Sequence, residues 1–534
     1  MLSAFEQYHM NNMGARTPLQ PYRGGNAAQS SGRQTGRRSS RWKLLLLLLA
    51  GVLIVVTVLI AASLQRAGTT LSVQVANQAA QQIDLTQSLA ISPDLLGSNV
   101  FPEEGTTSKD QTGQGFMRYD PQVIQGLQSA GIKLLRFPGG NWGEEHTPSV
   151  AQLNAFSQLL QQVGAEGFMQ AQLSDPLDST PVDLATRATR AALLVDYMNN
   201  SQSIQRTGAN AQAPFHPIKY WSVGNEPDLL LNQDTGQRYT VAEYTQAFIA
   251  YSLAMHQKDP TIKVFGPEIS QYTGTGTSQL WMQGFLQGVS AYENTHDLPF
   301  HLLDGVSFHF YPFSNTEQNA NTVLGNPQQW DTLVPALRQM IQQTTGEDLP
   351  IAITEINTTP GQGGPPANLS ALWWAETLGK LMSNQVNYVA FFSTEGVDSP
   401  LPLFLQDGLS QTAMLRTMQL FAKLQSNLVP IQSVPGPVSI YATQDSGQTT
   451  TSLLFLNQTK QSQAIGVHST SMLPFNAWQS AQLTLPAYGM VVLVLHHGGS
   501  PEAFVFNNQT DGQQAASTLQ HIVCGNQADS ALVC

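Results

Sequence analysis

From about residue 95 the chain alternates strand-like apolar runs with amphipathic helical patterns, and this alternation restricts its fold more than any other feature. The strand-like runs are Leu95–Phe101, Ile132–Phe137, Gly167–Leu173, Ile218–Val223, Ile262–Gly266, Gly305–Phe310, Ile351–Ile356 and Tyr388–Phe392. They are short and rich in aliphatic and aromatic residues, as strands covered on both faces are. Between them, Val150–Val163, Pro181–Met198, Val241–His256, Gln329–Gln343, Leu372–Met382 and Thr412–Leu424 carry apolar residues at helical spacing. Repeated strand–helix units lay parallel strands side by side beneath crossover helices. Eight units across 95–427 predict an α/β fold, a closed (β/α)8 TIM barrel. A doubly wound open sheet is the alternative; the number of units favours closure.

After residue 428 the rhythm changes. Val438–Ala442, Thr451–Leu456, Ala464–Val467, Ala481–Leu485 and Met490–Leu495 are short, alternating and separated by turn residues. They predict an accessory antiparallel β-sandwich over 428–497, followed by a polar tail, 498–534. Before the barrel, residues 65–94 read as a stalk plus one possible sandwich strand, Leu71–Val75.

The N-terminal part is of another kind. Residues 1–43 are polar and carry Arg16, Arg23, Arg33, Arg37, Arg38, Arg41 and Lys43 against one acid, Glu6. This composition predicts a disordered basic segment. Leu44–Ala62 then holds no charge, and as a helix it spans about 28 Å, the hydrocarbon thickness. A transmembrane anchor over 44–64 follows, with the N-terminus cytoplasmic and the remainder extracellular, because the flanking positive charge precedes it. A cleaved signal peptide would have a shorter basic region and a shorter apolar core. The net charge is −12 overall, so the body beyond the basic segment is more acidic still and unsuited to nucleic acid. Only two cysteines occur, Cys524 and Cys534; an exported chain could bridge them, stapling only the tail.

In a TIM barrel the active site sits where the strands end, so the residues at those ends carry the functional reading. The stretch "YWSVGNEPD" runs from an apolar strand into Asn225 and Glu226. "LLRFPGGNW" supplies Arg136, Asn141 and Trp142; "SFHFYPF" supplies His309 and Tyr311; "IAITEIN" supplies Thr354, Glu355 and Asn357; "AFFSTEG" supplies Phe392 and Glu395. A glutamate directly after a buried strand faces a desolvation cost unless it is hydrogen-bonded or functional. One alone is as readily a strand-end hydrogen bonder. Two, at the ends of strands four and seven, point to paired-carboxylate chemistry across the barrel mouth. Glycosidic cleavage needs such a pair. Glu268, in "FGPEIS", and Glu395 read as binding or supporting acids. Clustered metal ligands and the G-x-S-x-G string of serine hydrolases are not found in the sequence, so no metal or other cofactor is expected.

With the barrel, "VGNEP" at strand four and "ITEIN" at strand seven, the chain resembles the retaining clan A glycoside hydrolases. "LRFPGGNW" is most similar to the arabinofuranosidase family 51, with families 39, 44 and 79 near it. The resemblance covers about residues 95–497. It implies Glu226 as general acid/base, Glu355 as nucleophile and a carbohydrate substrate. It further implies that Asn225 binds the sugar 2-hydroxyl, that Arg136 lies by Glu355, and that His309 and Tyr311 orient the nucleophile. Asn141, Trp142, Phe392 and Glu395 would line the sugar site; the Trp142 ring suits either stacking on a sugar face or filling the core. Many clan members end strand eight on Trp, where this chain has Phe391 and Phe392. A carbohydrate-binding barrel without catalysis is the rival expectation, against which the retention of both glutamates speaks.

Overall fold

The computed structural model describes residues 51–52, 70–103, 117–177, 179–210, 213–361, 363–395, 401–405, 407–432, 436–469, 480–509, 515–527 and 531–534. The chain divides into two units, Met1–Ala67 and Gly68–Cys534. Of the first, only Gly51 and Val52 are described, and they are helical. The basic segment 1–43 and nearly all of the expected anchor therefore lie outside the described residues. Among the described residues no helix is long and apolar enough to cross a membrane.

In the second unit eight strands close into a parallel barrel. In chain order they are Gly97–Asn99, Leu134–Phe137, Glu166–Ala171, Tyr220–Val223, Lys263–Ile269, Gly305–Phe310, Ile351–Ile356 and Tyr388–Phe391. Each pairs with the next, and the eighth pairs with the first. All eight coincide with strands expected from the sequence. Two helices that the apolar pattern had not marked complete the ring, Pro121–Ser129 and Gly276–Glu293. The second of these carries glycines that weaken helix propensity. They serve packing instead. A Cβ on Gly288 would come 2.7 Å from the Thr245 methyl of the neighbouring helix Val241–His256.

The barrel interior is layered. At the bottom, Leu134, Phe168, Tyr220, Phe265 and Ala352 form a small apolar cluster, with Tyr388 against it. Phe265 is boxed by Phe168, Tyr220 and Tyr388 at ring separations of 5.1, 6.0 and 5.2 Å. Gly305 leaves room for it, since a Cβ there would sit 2.2 Å from the Phe265 ring. Side chains point inward at every second position of a strand. The next inward layer, two residues further up, is polar and includes Arg136 and Thr354. Strict alternation would direct both Glu268 and Glu355 out of the barrel. The register shifts between Pro267 and Ile269 on strand five, and again where strands six and seven meet, at Phe308/His309. These bulges re-aim the side chains that follow, and both carboxylates turn inward.

The sandwich is larger than the sequence reading made it. One sheet orders strands 81–84, 70–75, 463–469, 480–485, 531–533 and 525–527; the other orders 520–523, 502–506, 490–496, 450–457, 438–444, 427–429 and 89–90. The stretch read as a stalk thus supplies three strands, and the stretch read as a polar tail supplies four. Both lie at or near sheet edges, where outward residues are polar and the alternation is faint. Cys524 and Cys534 are disulfide-bonded within that last segment. Strand Thr450–Asn457 is buried along almost its whole length because its two faces serve different cores. Leu453 and Phe455 point into the sandwich, whereas Leu454 and Leu456 join the barrel cluster. The sandwich is therefore packed directly against the barrel helices.

Replacing Gly305 with Val should overpack the boxed ring and destabilise the protein by about 1–3 kcal/mol. Urea unfolding would register this as a lower midpoint at unchanged slope; an unshifted midpoint would contradict the packing described.

Candidate active site

The centre of the polar layer is Arg136, fully buried on the second strand. One terminal nitrogen donates to Asn99 Oδ1 and to Glu355 Oε1, each at 2.8 Å. The other donates to Asn225 Oδ1 at 2.8 Å and to Glu268 Oε2 at 2.9 Å. A single planar fork thus ties together the ends of strands one, four, five and seven. Asn99 is locked in turn, because its amide donates to the Thr354 and Ala390 carbonyls at 2.9 and 3.1 Å.

Glu355 is also engaged on its other oxygen, where the Tyr311 hydroxyl donates at 2.6 Å. Gly140 closes in from the second strand's loop; a Cβ there would approach Glu355 Oε1 to 3.2 Å and the Phe392 ring to 3.3 Å. Its φ of +56° is one that glycine adopts without cost. Glu226 follows the turn at Gly224 and itself takes a positive φ of 47°, held by its N–H donating to the Glu268 carbonyl at 3.0 Å. Its side chain is 15% exposed against 5% for Glu355. Of the two, Glu226 is the more open to whatever enters the mouth.

His309 joins the carboxylates. Its Nδ1 lies 2.9 Å from Glu226 Oε1 and 3.5 Å from Glu355 Oε2, while Nε2 lies 3.4 Å from Glu268 Oε2. Burial alone would lower its pKa, but the charge of Glu355 and the hydrogen bonds to Glu226 and Glu268 outweigh burial and push it up to about 10. His309 is therefore an imidazolium at neutral pH. Burial would raise Glu268, yet the neighbouring Arg136 and His309 charges leave it below the usual carboxylate range. Thr354 Oγ1 donates to its second oxygen at 2.9 Å.

Glu226, His309 and Glu355 offer ligand atoms within 4.8 Å of one another.

Of the residues marked from sequence, Arg136, Asn225, Glu226, His309, Tyr311 and Glu355 meet in this network. Asn141 adjoins it, accepting from the Asn225 amide at 3.0 Å. Phe392 forms part of the wall, edge-on to Tyr311 at 6.3 Å. Trp142 is placed differently. It is 2% exposed and packed in the barrel core beside His146, so no free ring face remains for a sugar. The short helix Trp142–Glu145 turns its indole inward. Glu395 lies with its carboxylate against Gly408, and its backbone bridges to Phe404. Asn99 enters the network although the strand-end reading did not mark it, and Thr354, marked there without a role, enters it through Glu268. Both are inside the barrel, where only register shows their direction. Glu268, read as a supporting acid, proves as central as either catalytic candidate.

No protein-family model matches the sequence, and no curated protein matches it. Solved structures do match in fold. A family 51 α-L-arabinofuranosidase from Bifidobacterium longum aligns at TM-score 0.53 and 17% identity, covering 71% of this chain and 85% of that one. The family 51 arabinofuranosidase of Xanthomonas axonopodis pv. citri aligns at 0.57 and 13%, covering 85% and 95%. A family 44 xyloglucanase of Paenibacillus polymyxa aligns at 0.53 and 13%, covering 77% and 98%. The likeness extends over the barrel and the sandwich together and establishes the fold.

The linkage sign for His309 is definite. Its folded pKa is raised, so its stabilisation is complete below the unfolded value of about 6.5 and is lost as pH rises toward about 10. The stability gap between the wild type and His309→Asn should be constant on the acid side of this window and shrink across it. Urea titrations at stepped pH would measure the gap; one that widened with pH would contradict an imidazolium at this position.

Proposed function

We propose that this chain is a retaining glycoside hydrolase, with Glu226 as general acid/base and Glu355 as nucleophile. The observation that carries the proposal is the spacing of the two carboxylates. One oxygen of each lies within 4.8 Å of the other, across the mouth of the barrel. Direct attack by a carboxylate requires a separation of about 5–5.5 Å, whereas an intervening water requires about 6.5–9.5 Å.

The surroundings divide the roles. Glu355 receives the Arg136 and Tyr311 donors, which face the negative charge that a nucleophile carries. Glu226 receives neither and is the more exposed. In the first step Glu355 attacks the anomeric carbon while Glu226 gives its proton to the leaving oxygen. In the second, Glu226 takes a proton from water, which displaces Glu355. Asn225 would contact the 2-hydroxyl, with its orientation fixed by Arg136 and Asn141. Asn141 and Phe392 would contact the sugar from the second and eighth strand ends, and Glu395 supports the eighth-strand loop.

The substrate class is a plant-type or microbial polysaccharide or oligosaccharide, cleaved by an arabinofuranosidase, xylosidase, glucuronidase or glucanase activity. Fold likeness to arabinofuranosidases and a xyloglucanase is consistent with this range. The apolar run at 44–64 would anchor the enzyme in the cell membrane with its barrel outside.

Glu355→Gln should abolish hydrolysis of every 4-nitrophenyl glycoside that the wild type cleaves. Glu226→Gln should slow substrates with poor leaving groups by about 10²–10⁴-fold, and nitrophenyl substrates less. Proton NMR of the first sugar released should show the starting anomeric configuration. An inverted first product, or full activity in either variant, would refute the assignment; persistent sugar binding without turnover in the wild type would favour the non-catalytic rival. For the anchor, alkaline carbonate extraction should leave the full chain in the membrane fraction, and protease added to intact cells should remove the barrel.

A further inference from the structure

Beside the carboxylate network lies a second concavity that the reaction above does not use. It has a volume of 300 Å³ and is lined by Asp228, Ser270, Gln271, Thr277, Ser278 and Trp281, among others. Its floor is the chain immediately following two network glutamates. Asp228 stands two positions after Glu226, and Ser270 two positions after Glu268. The two loops are joined, since Ser270 donates to Asp228 from its N–H at 2.9 Å and from its hydroxyl at 2.6 Å. Gln271 ties the cavity to the nucleophile's side, because its Oε1 accepts from the Tyr311 N–H at 2.8 Å. The Tyr311 hydroxyl is the group on Glu355.

We infer that this cavity is the leaving-group subsite and that it takes a neutral sugar, with Trp281 as its platform. The inference rests on the hydrolase reading. Glu226 protonates the glycosidic oxygen, so the departing residue lies on the Glu226 side of the bond, and the cavity is lined by Asp228 on the loop that carries Glu226. Its volume is at the small end of ligand pockets, enough for one sugar ring. Its chemistry also suits a sugar. A half-buried indole offers an apolar face to ring C–H groups, while hydroxyls, an amide and a carboxylate converge around it and can both give and accept hydrogen bonds. No Lys, Arg or His lines it, and Asp228 would repel a carboxylate. A uronate or phosphorylated residue is therefore disfavoured here.

The same subsite should receive acceptors in reverse. The glycosyl–Glu355 ester is attacked by an acceptor hydroxyl, whose proton passes to Glu226. A carbon–oxygen bond to the acceptor forms as the one to Glu355 breaks.

The test uses the full-length protein with the 4-nitrophenyl glycoside it cleaves best as donor, and xylobiose, cellobiose or D-glucuronic acid as acceptor. The readout is the ratio of transfer product to hydrolysis product, which is independent of how much active enzyme is present. The neutral acceptors should be glycosylated and glucuronic acid should not. Trp281→Ala should lower the ratio about tenfold, the upper range for one aromatic contact, and Trp281→Phe should restore most of it. Thr277→Arg, at an exposed position on the cavity wall, should lower the ratio as well and covers the case in which the alanine variant does not fold. Leu280→Ala, an exposed residue outside the cavity, should leave it unchanged. An unchanged ratio in Trp281→Ala or in Thr277→Arg, or glucuronic acid serving as well as the neutral sugars, overturns the subsite while the hydrolase stands. A wild type silent on all nitrophenyl glycosides overturns the hydrolase and the subsite together.

Discussion

A guanidinium buried inside a barrel is the constraint on which the rest of this structure depends. Arg136 cannot shed its proton, and removing it from water is costly unless its donors are met. Four acceptors from four strand ends, Asn99, Asn225, Glu268 and Glu355, meet those of its two terminal nitrogens, while Nε finds no partner among the described residues. The layer below is apolar and aromatic, so these polar groups have no other partners beneath them. Breaking a buried pair of this kind is expensive, because the remaining charge has nowhere to go. The upper half of the barrel is therefore held by electrostatics as much as by packing, and the geometry that stabilises it is the geometry that positions the two candidate catalytic carboxylates.

The third carboxylate gives the network its balance. Glu268 accepts from Arg136 at 2.9 Å and lies 3.4 Å from His309 Nε2, so it is paired with both cations. Glu268 reaches this position only through a bulge on strand five. Local departures from regular strand geometry thus underlie the chemistry, in keeping with the tendency of bulges to occur beside active sites.

Much of the fold was legible from residue pattern. The eight barrel strands are short apolar runs separated by helical periodicity, and neither signal depends on distant contacts. The helix Gly276–Glu293 escaped that reading because its glycines are chosen for contact with the neighbouring helix, which local propensity does not record. The outer sandwich strands escaped it because edge strands are polar and short. Trp142 shows the limit at the site itself. Its position in the chain, just after a strand end, suggested a sugar platform, but a single helical turn carries the ring into the core. Trp281, far from any motif, is the indole left facing a cavity.

The order of residues by itself determined the barrel, the sandwich that follows it, and the positions of Glu226 and Glu355 at the ends of strands four and seven. It could do so because hydrophobic periodicity is a local property and strand ends are its natural boundaries. Tertiary structure alone decided which inward-facing groups touch: that Arg136 spans four strands, that Glu268 turns inward, and that His309 is charged. Those outcomes depend on register and on a shared low-dielectric interior, where a shift of one residue reverses a side chain's direction and a few ångströms decide which charge prevails.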